Sequence, residues 1–443
     1  MRTFRALLVV CLMGISAWAA DPAGIKAQVD QLYPQLKNFY IDLHQFPELS
    51  LHEVNTAAKM AAGLRKLGFE VTEQVGGTGV VGVLKNGDGP VVMIRTELDA
   101  LPLDEQTGLP YASKVRTKND QGMEVSVMHA CGHDLHMASW LGTATILSEN
   151  KARWHGTLIM LGQPAEEVGR GADAMIKDGL FTRFPKPNFV IAVHDDSFMR
   201  AGEVSVTPGP ILSSASSVTI TIYGKGGHGA APQTTIDPIV IAARTVLSLQ
   251  TIVSREMDPL EPAIITVGAI HGGTKSNIIP DQVQLLLTVR AMRPEVQKHL
   301  LASITRITKA EAAAGGATQE PKIEVSEGLG ATINDPKLAE RLLQALTPEL
   351  GAENVVNDQR RMVSEDFGRY GEAAGAPSVM MFVGGVEPEK LAEAKQKGEV
   401  LPSLHSSKWA PDLEPTMKTA IITEVTSALD LFSPEEGHAT VTH

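Results

Sequence analysis

The chain has 443 residues, of which 43% are hydrophobic and 20% are charged, and its formal net charge is −12 at pH 7. The length predicts two domains, and a composition close to the globular average excludes an intrinsically disordered chain. Because no block of Lys and Arg stands out in this acidic sequence, the composition also argues against nucleic acid and anionic membranes as partners.

The N-terminal segment has the pattern of a secretory signal peptide. Arg2 and Arg5 precede an apolar run at 6–15, and Ala-Trp-Ala at 17–19 supplies the small residues that a signal peptidase reads. The run is too short to anchor the chain in a bilayer. We therefore expect a signal peptide at 1–19 and an exported protein, periplasmic or secreted, that contacts no membrane after cleavage. An uncleaved N-terminal anchor is the alternative.

The two cysteines of the chain have different fates under this prediction. Cys11 leaves with the signal peptide, so the mature protein keeps only Cys131. An exported protein with a single cysteine has no internal disulfide, so this thiol needs another role.

The next segment, 20–208, alternates helical patterns with short apolar runs. Near-continuous apolar runs are typical of parallel strands that are covered on both faces by helices. We therefore predict an α/β domain with a mostly parallel sheet, which binds ligands at the carboxyl ends of its strands. The predicted helices are 25–39, 57–67 and 135–147, and the predicted strands are 79–84, 90–95, 156–162 and 188–194.

From about residue 209 the pattern changes. Alternating polar and apolar residues predict half-buried strands, and two amphipathic helices separate them. The order β-α-β-β-α-β is that of a ferredoxin-like α+β domain, so we predict an inserted domain at 209–325. The remainder, 326–443, returns to mixed helices and strands and is expected to complete the first domain.

Residues able to bind a metal follow several of the predicted strands. Thiolate, imidazole and carboxylate groups are ligands of zinc and neighbouring divalent metals. Glu166 and Glu167 are adjacent, so on an extended backbone one can bind metal while the other takes a proton from a metal-activated water. The candidate set is Cys131, His133, Glu166, Glu167, His194 and His405.

Each of these residues also has an ordinary interpretation. A lone histidine such as His194 is more often packed or solvated than a ligand, adjacent glutamates are usually solvated, and a single buried cysteine is usually inert. Cys131 could instead be a nucleophile that His133 activates, but the glutamates would then lack a role. Only the sequence HACGHD at 129–134 is a strong metal signal by itself.

The other polar residues of HACGHDLHMA are expected to have supporting roles. Asp134 is predicted to start the helix that follows. His129 and His136 are expected either to support the ligands from behind or to be purely structural.

Several motifs run in order along nearly the whole chain after the signal peptide: HQFPELSLHE (44–53), DALP (99–102), HACGHDLHMA (129–138), QPAEE (163–167), GKGGHGAAP (224–232), SNIIPD (276–281) and SEDF (364–367). Together they resemble the dinuclear-metal amidohydrolases and metallopeptidases of the aminoacylase/carboxypeptidase superfamily. The resemblance is strongest to the branch of hippurate hydrolase, N-acyl-L-amino acid amidohydrolase and the indole-acetyl-amino acid hydrolases.

The resemblance implies roles for individual residues. Two divalent metal ions, zinc or manganese with cobalt or nickel as alternatives, would bind to Cys131, His133, Glu167, His194 and His405. Glu166 would be the general base. The inserted domain would be a lid that also forms a homodimer, and His228 would enter the partner's site to stabilise the oxyanion. Asn277 and Arg290 would hold the substrate carboxylate, since a guanidinium grips a carboxylate through two parallel bonds.

Two departures from the family pattern bear on the site. Glu97 stands where family members usually have Asp, which adds a methylene behind the ligands. After His194, two extra carboxylates, Asp195 and Asp196, replace a short turn with proline. Either departure is expected to change the metal preference or the substrate pocket, but neither removes a predicted ligand or the base.

The resemblance therefore implies a metal-dependent hydrolase that cleaves the amide bond of N-acyl-L-amino acids or related small amides. A dipeptidase or carboxypeptidase with the same two metals is the first alternative. A non-catalytic protein that binds acylated amino acids is the second.

Overall fold

The computed structural model describes residues 22–433, so the predicted signal peptide at 1–19 lies outside the described residues. Within 22–433 no helix combines the length and the apolar character needed to span a bilayer. Ahead of the inserted domain the elements are α1 (Pro22–Gln45), α2 (Val54–Lys66), β1 (Glu70–Val75), β2 (Gly79–Asn86), β3 (Val91–Glu97), β4 (Arg116–Lys118), β5 (Glu124–Ser126), α3 (His133–Glu149), β6 (Gly156–Gln163), α4 (Gly171–Lys177), α5 (Leu180–Arg183), β7 (Phe189–Arg200), β8 (Val204–Ser205) and β9 (Gly209–Leu212).

The inserted domain contains β10 (Ser214–Tyr223), β11 (Gly227–His228), α6 (Pro238–Thr251), β12 (Ala263–His271), β13 (Ile278–Ile279), β14 (Gln282–Ala291), α7 (Pro294–Ala314) and β15 (Lys322–Glu327). Its main strands pair antiparallel in the order β12-β14-β10-β15. α6 and α7 pack against this sheet through a core that includes Ile220, Leu285 and Leu300. The predicted ferredoxin-like order is confirmed, whereas the domain boundaries at 209 and 325 stay predictions.

The chain then returns to the first domain through β16 (Thr332–Asn334), α8 (Pro336–Leu350), β17 (Val355–Val356), α9 (Gly368–Ala374), β18 (Ser378–Val386), α10 (Pro388–Lys397) and α11 (Leu413–Phe432). β18 pairs in parallel with β7, and α11 packs against α3. β16 pairs with β9, so the segments that lead into and out of the inserted domain lie side by side.

The main sheet has eight strands in the order β1-β2-β6-β3-β7-β18-β8-β17. Its central strands β6, β3, β7 and β18 are parallel, whereas β2 is antiparallel to β6 and β8 is antiparallel to β18. Successive residues of β3 enter different cores: Ile94 packs with residues of α1, α3 and α11, and Met93 packs with residues of α4 and α9. The predicted α/β class, with helices on both faces of the sheet, is confirmed.

The carboxyl ends of the central strands carry the candidate site. Glu97 is the last residue of β3, Glu166 and Glu167 follow the end of β6, and His194 lies within β7. His133 is the first residue of α3. Parallel strands end at one edge of a sheet, which is where open α/β sheets bind their ligands.

A buried carboxyl between α3 and α11 gives a test of this packing. Glu424 is 2% exposed and accepts a hydrogen bond from Thr143 at 2.6 Å. Burial raises the pKa of Glu424 from 4.5 to about 8. The folded state therefore holds this proton more tightly than the unfolded state. Folding becomes less favourable as the pH rises through this window, and the penalty is constant above it.

We expect Glu424→Gln to raise the melting temperature by several degrees at pH 9, because each pKa unit corresponds to about 1.4 kcal/mol. At pH 5 the variant should melt within about one degree of wild type. Thermal unfolding followed by circular dichroism at both pH values is the measurement. Glu414→Gln, at an exposed position of the same helix, is the matched control and should follow wild type. The prediction is wrong if the Glu424 variant and wild type respond identically to pH.

Candidate metal centre

One cavity of about 1000 Å³ lies between the carboxyl edge of the main sheet and the inserted domain. The main-sheet side is lined by predicted site residues, namely Cys131, Glu166, Glu167, His194 and His405. The opposite wall carries a row of hydroxyls, because Ser217 pairs in register with both Thr288 and Ser326. The cavity therefore faces candidate ligands on one side and a polar wall on the other.

Several predicted ligands meet around the thiol of Cys131. Its Sγ atom lies 3.2 Å from Nε2 of His405 and 3.6 Å from Nε2 of His194. The same His405 nitrogen lies 3.4 Å from a carboxylate oxygen of Glu167. A thiol, two imidazoles and a carboxylate with their donor atoms this close form a compact ligand set for a divalent metal.

His133 completes this set from the buried side. Its Nδ1–H donates to the main-chain carbonyl of Asp99 at 2.8 Å, so Nε2 faces Glu166 at 3.8 Å and Glu167 at 4.0 Å. Among the described residues, neither His133 Nε2 nor Glu167 Oε1 has a hydrogen-bond partner, although both atoms are buried. Buried polar atoms are rarely left unpaired, so these two atoms fit a bound cation.

The turn between Cys131 and His133 requires glycine. Gly132 has a φ of +74°, and a Cβ atom there would lie 2.5 Å from Oδ1 of Asp195. Cys131 and His133, the two predicted ligands, can therefore flank this position only while it lacks a side chain. The helix α3 begins at His133, one residue before Asp134, which the sequence predicted to start it.

The predicted ligand His405, with a φ of +65°, and Ala165, which precedes Glu166, with a φ of +53°, both have left-handed backbone conformations. This conformation is uncommon outside glycine and costs free energy. Two main-chain donors offset the cost. The N–H of His405 bonds to the carbonyl of Ala130 at 2.8 Å, and the N–H of Glu167 bonds to the Asp99 carboxylate at 3.0 Å. These bonds hold both ligand loops against the buried edge of the site.

Burial at the site raises the pKa of three acidic groups, which favours their neutral forms when no cation is bound. Burial, and then the neighbouring Glu167, raise the pKa of the Cys131 thiol well above its usual range. Burial, and then Glu365, raise the pKa of Glu166 well above its usual range. Burial likewise raises the pKa of Glu167 to about 7. A bound cation favours the deprotonated forms of such groups, which are the forms that bind metal.

Glu166 stands between the ligands and a buried ionic cluster. Oxygen atoms of Glu166, Glu365 and Asp366 lie within 4.8 Å of one another. Arg95 is completely buried beneath them and donates to Glu365 at 2.6 Å and to Asp366 at 3.3 Å. This guanidinium is the counter-charge for the carboxylates behind Glu166, and without it they would be buried unpaired.

The predicted residues of the inserted domain do not all reach the cavity. Arg290 lines it and donates to the main-chain carbonyl of Met362 at 3.0 Å. His228 is exposed in β11, where Gly229 donates its N–H to the carbonyl of Asn277 at 2.8 Å. Neither His228 nor Asn277 is among the described residues that line the cavity. One chain thus brings Arg290, but not His228 or Asn277, to the cavity that the candidate ligands line.

The remaining histidines of HACGHDLHMA (129–138), His129 and His136, both lie behind the predicted ligands. His129 is 4% exposed, neither ring nitrogen has a partner among the described residues, and burial lowers its pKa to about 4. His136 contacts Glu97 and Asp195, one through each ring nitrogen. His129 therefore packs as a neutral ring, whereas His136 belongs to a polar network.

Sequence reasoning missed several residues that the structure places at the site. Arg361 pairs with Asp196 at 2.8 Å and lies 5.2 Å from the ring centre of Phe198, and all three line the cavity. Glu365 and Asp366 belong to the SEDF motif, but nothing in the sequence indicated their contact with an arginine of β3. The only signal in the sequence was the cluster of charged residues at 360–366, and such a cluster is weak evidence for a site.

Comparisons with known proteins agree with this geometry. A family model described as peptidase family M20/M25/M40 matches residues 93–399. Hippurate hydrolase of Campylobacter jejuni is 38% identical over 332 residues, which cover 74% of this chain and 83% of that protein. Thermostable carboxypeptidase 1 of Saccharolobus solfataricus is 36% identical over 374 residues, which cover 84% of this chain and 88% of that protein.

Solved structures show the same fold. A putative aminohydrolase from methicillin resistant Staphylococcus aureus has a TM-score of 0.81 at 30% identity and covers 92% of this chain and 99% of its own. A dinuclear metal binding peptidase of the same family from Bacillus subtilis has a TM-score of 0.74 at 29% identity, with coverage of 90% and 98%. The chain therefore belongs to peptidase family M20/M25/M40, and it is a metal-dependent hydrolase of amide or peptide bonds.

Proposed function

We propose that the protein cleaves the amide bond of N-acyl-L-amino acids, or of related small amides, and releases the free amino acid. The observation that carries this proposal is the position of Glu166, whose carboxylate lines the same cavity as Cys131 and His405. The name of one relative, hippurate hydrolase, supports the N-acyl amino acid class.

Two divalent metal ions are proposed to bind this chain at Cys131, His133, Glu167, His194 and His405. The orphaned atoms of His133 and Glu167 support this assignment. A thiolate favours zinc, while imidazoles and carboxylates also accept manganese, cobalt or nickel, so zinc or manganese is proposed. When bound, such ions lower the pKa of a coordinated water and polarise a carbonyl.

Residues of the chain carry out proton transfer and substrate binding. Glu166 accepts the proton of the attacking water and returns it to the leaving amine. Arg290 binds the carboxylate of the substrate through paired hydrogen bonds. The hydroxyls of Ser217 and Thr288, in the same wall as Arg290, are available to other polar atoms of the substrate.

A homodimer is proposed to complete the site. His228 and Asn277 lie outside the cavity of their own chain, and His228 is exposed. In the dimer the partner subunit's His228 stabilises the oxyanion, and the partner subunit's Asn277 contacts the substrate carboxylate. The signal pattern at 1–19 supports export, so we also propose a periplasmic or secreted location.

Dipeptidase or carboxypeptidase activity is the second candidate. Thermostable carboxypeptidase 1 of Saccharolobus solfataricus is named for such an activity, and a cavity of about 1000 Å³ has room for a dipeptide. The same residues serve both reactions, so only a comparison of substrates separates them.

The Glu166→Gln variant tests the base. It should retain the metal content of wild type and lose about 10²–10⁴-fold in kcat, because the amide cannot take up the proton. Metal content is measured by elemental analysis, and rates are measured with N-acetyl amino acids, N-benzoyl amino acids and dipeptides. The control is Glu372→Gln, which changes an exposed glutamate on α9 and should match wild type.

Two results would contradict the proposal. Near-normal kcat for Glu166→Gln would remove Glu166 from the mechanism. A preference of the wild-type protein for dipeptides would favour the second candidate.

Metal removal separates the metal mechanism from a thiol nucleophile. We expect a chelator to abolish hydrolysis and added zinc or manganese to restore it, because the attacking water depends on the metal. Alkylation of Cys131 in the metal-loaded protein should be slow, since a coordinated thiolate is shielded. Rapid inactivation by alkylation, together with full activity after chelation, would instead identify Cys131 as the nucleophile.

Mixed dimers test the contribution of the partner subunit. Glu166→Gln and His228→Ala homodimers should each be nearly inactive. Random mixing of the two variants should restore about one quarter of the wild-type sites, because half of the dimers are mixed and each has one intact site. The rate after co-expression, compared with the sum of the separate homodimers, is the measurement. No recovery in dimers shown to be mixed would mean that His228 acts within its own chain or not at all.

A further inference from the structure

A column of buried polar residues stands directly behind the predicted ligands. It consists of Glu97 at the end of β3, His136 in the first turn of α3 and Asp195 in β7, with exposed fractions of 0%, 3% and 0%. The N–H of Asp195 donates to Nε2 of His136 at 2.8 Å. The Nδ1–H of His136 then donates to Oε2 of Glu97 at 3.0 Å. One imidazole therefore joins two carboxylate residues from distant parts of the chain.

Both ends of this column are anchored. The other oxygen of Glu97 bonds to the buried guanidinium of Arg95. Oδ1 of Asp195 lies 3.2 Å from Nε2 of His136, and Oδ2 accepts a hydrogen bond from the indole of Trp409 at 3.2 Å. Glutamate at position 97 thus bridges Arg95 and His136, one with each oxygen.

The column touches two ligand-bearing segments. The carbonyl of Asp195 accepts a hydrogen bond from Nδ1 of His194 at 2.7 Å, which leaves Nε2 of that ligand directed at the Cys131 thiol. The rings of His136 and His194 are 4.4 Å apart between centroids. The Asp195 carboxylate also lies where a side chain on Gly132 would be, so it supports the turn that carries the first two ligands.

The column does not itself offer a vacant ligand set. Glu97, His133, His136 and His194 do present donor atoms within 4.8 Å of one another. Both nitrogens of His136 and both oxygens of Glu97 are already engaged in hydrogen bonds. These two residues are therefore suited to hold the ligands in place, not to bind the metal.

Glu97 and Asp195 lie on different strands, yet both contact the same imidazole.

We propose that Glu97, His136 and Asp195 act as one positioning unit, which fixes the His194 imidazole and the Cys131–His133 turn in the geometry that binds metal. The proposal rests on the metal centre of the proposed function. Hydrogen-bond partners behind metal ligands commonly change metal affinity by about 10–100-fold when they are removed. Because carboxylate oxygens of Glu97 and Asp195 lie 3.0 Å and 3.2 Å from the two ring nitrogens of His136, the loss of either carboxylate should disturb the same imidazole.

The test is a double-mutant cycle of Glu97→Gln, Asp195→Asn and the double variant. Zinc affinity is measured by competition with a chromophoric chelator, and the coordination geometry is read from the visible absorption spectrum of the cobalt-loaded protein. We expect each single variant to bind zinc about 10-fold more weakly and to show a shifted cobalt spectrum. The double variant should resemble the weaker single variant, not show the product of about 100-fold, because coupled residues are not additive.

Controls separate positioning from general stability. Glu424→Gln changes another buried carboxyl that contacts α3 through Thr143 but no predicted ligand, and its zinc affinity and cobalt spectrum should match wild type. Metal-free melting temperatures identify any variant that does not fold. If Glu97→Gln fails to fold, His136→Asn and Asp195→Asn form the cycle in its place, with the same expected loss and the same non-additivity.

Three outcomes overturn the positioning unit: folded single variants with wild-type zinc affinity and an unchanged cobalt spectrum, single losses that multiply in the double variant, or an equal loss in Glu424→Gln. Failure of the proposed function gives a different result. In that case wild-type protein itself binds no zinc or cobalt, or binds metal and hydrolyses none of the amides in the panel.

Discussion

The carboxyl edge of the main sheet buries many acidic groups against few cations, and the rest of the site is arranged around this imbalance. Arg95 is the one arginine or lysine among the buried residues of the described chain, whereas the buried acids near it are Glu97, Asp99, Glu166, Asp195, Asp196, Glu365 and Asp366. An unpaired buried carboxylate costs several kcal/mol, by order of magnitude. Protons supply part of the compensation, since burial raises the pKa of Asp366 to about 8. The metal ions proposed above would supply further positive charge, and their binding would then be coupled to proton release at this edge.

Much of the fold could be predicted because its signals are local. The apolar runs at 90–95 and 156–162 correspond to β3 and β6 with only small changes at the ends, and the alternating pattern predicted the β-α-β-β-α-β order of elements in the inserted domain. The run at 188–194 was too short, because β7 continues to Arg200, where it still pairs with Val386 of β18. The central place of β18 and the antiparallel edge strands were not predictable, since strand partners are chosen by packing between distant segments.

Some residues of the candidate site could likewise be predicted from the sequence, and others could not. Cys131 and His133 could be selected because a thiol and an imidazole flanking glycine suit a metal and make a poor core. The contact between Arg95 and Glu365 could not be predicted, because it joins residues far apart in the sequence. Each of the two is an ordinary charged residue by itself. The predicted ligands therefore depend on residue type, while the groups that support them depend on tertiary contacts.

Residues 361–365 contact both Arg290, in the cavity wall formed by the inserted domain, and Glu166, the proposed base. Within 361–363, main-chain carbonyls accept hydrogen bonds from the Arg290 side chain at 3.0 Å and from the N–H of Ser213 at 2.9 Å. The chain then continues into Glu365, whose carboxylate lies within 4.8 Å of that of Glu166. The same stretch therefore fixes the arginine proposed to hold the substrate and the ionic cluster behind the base.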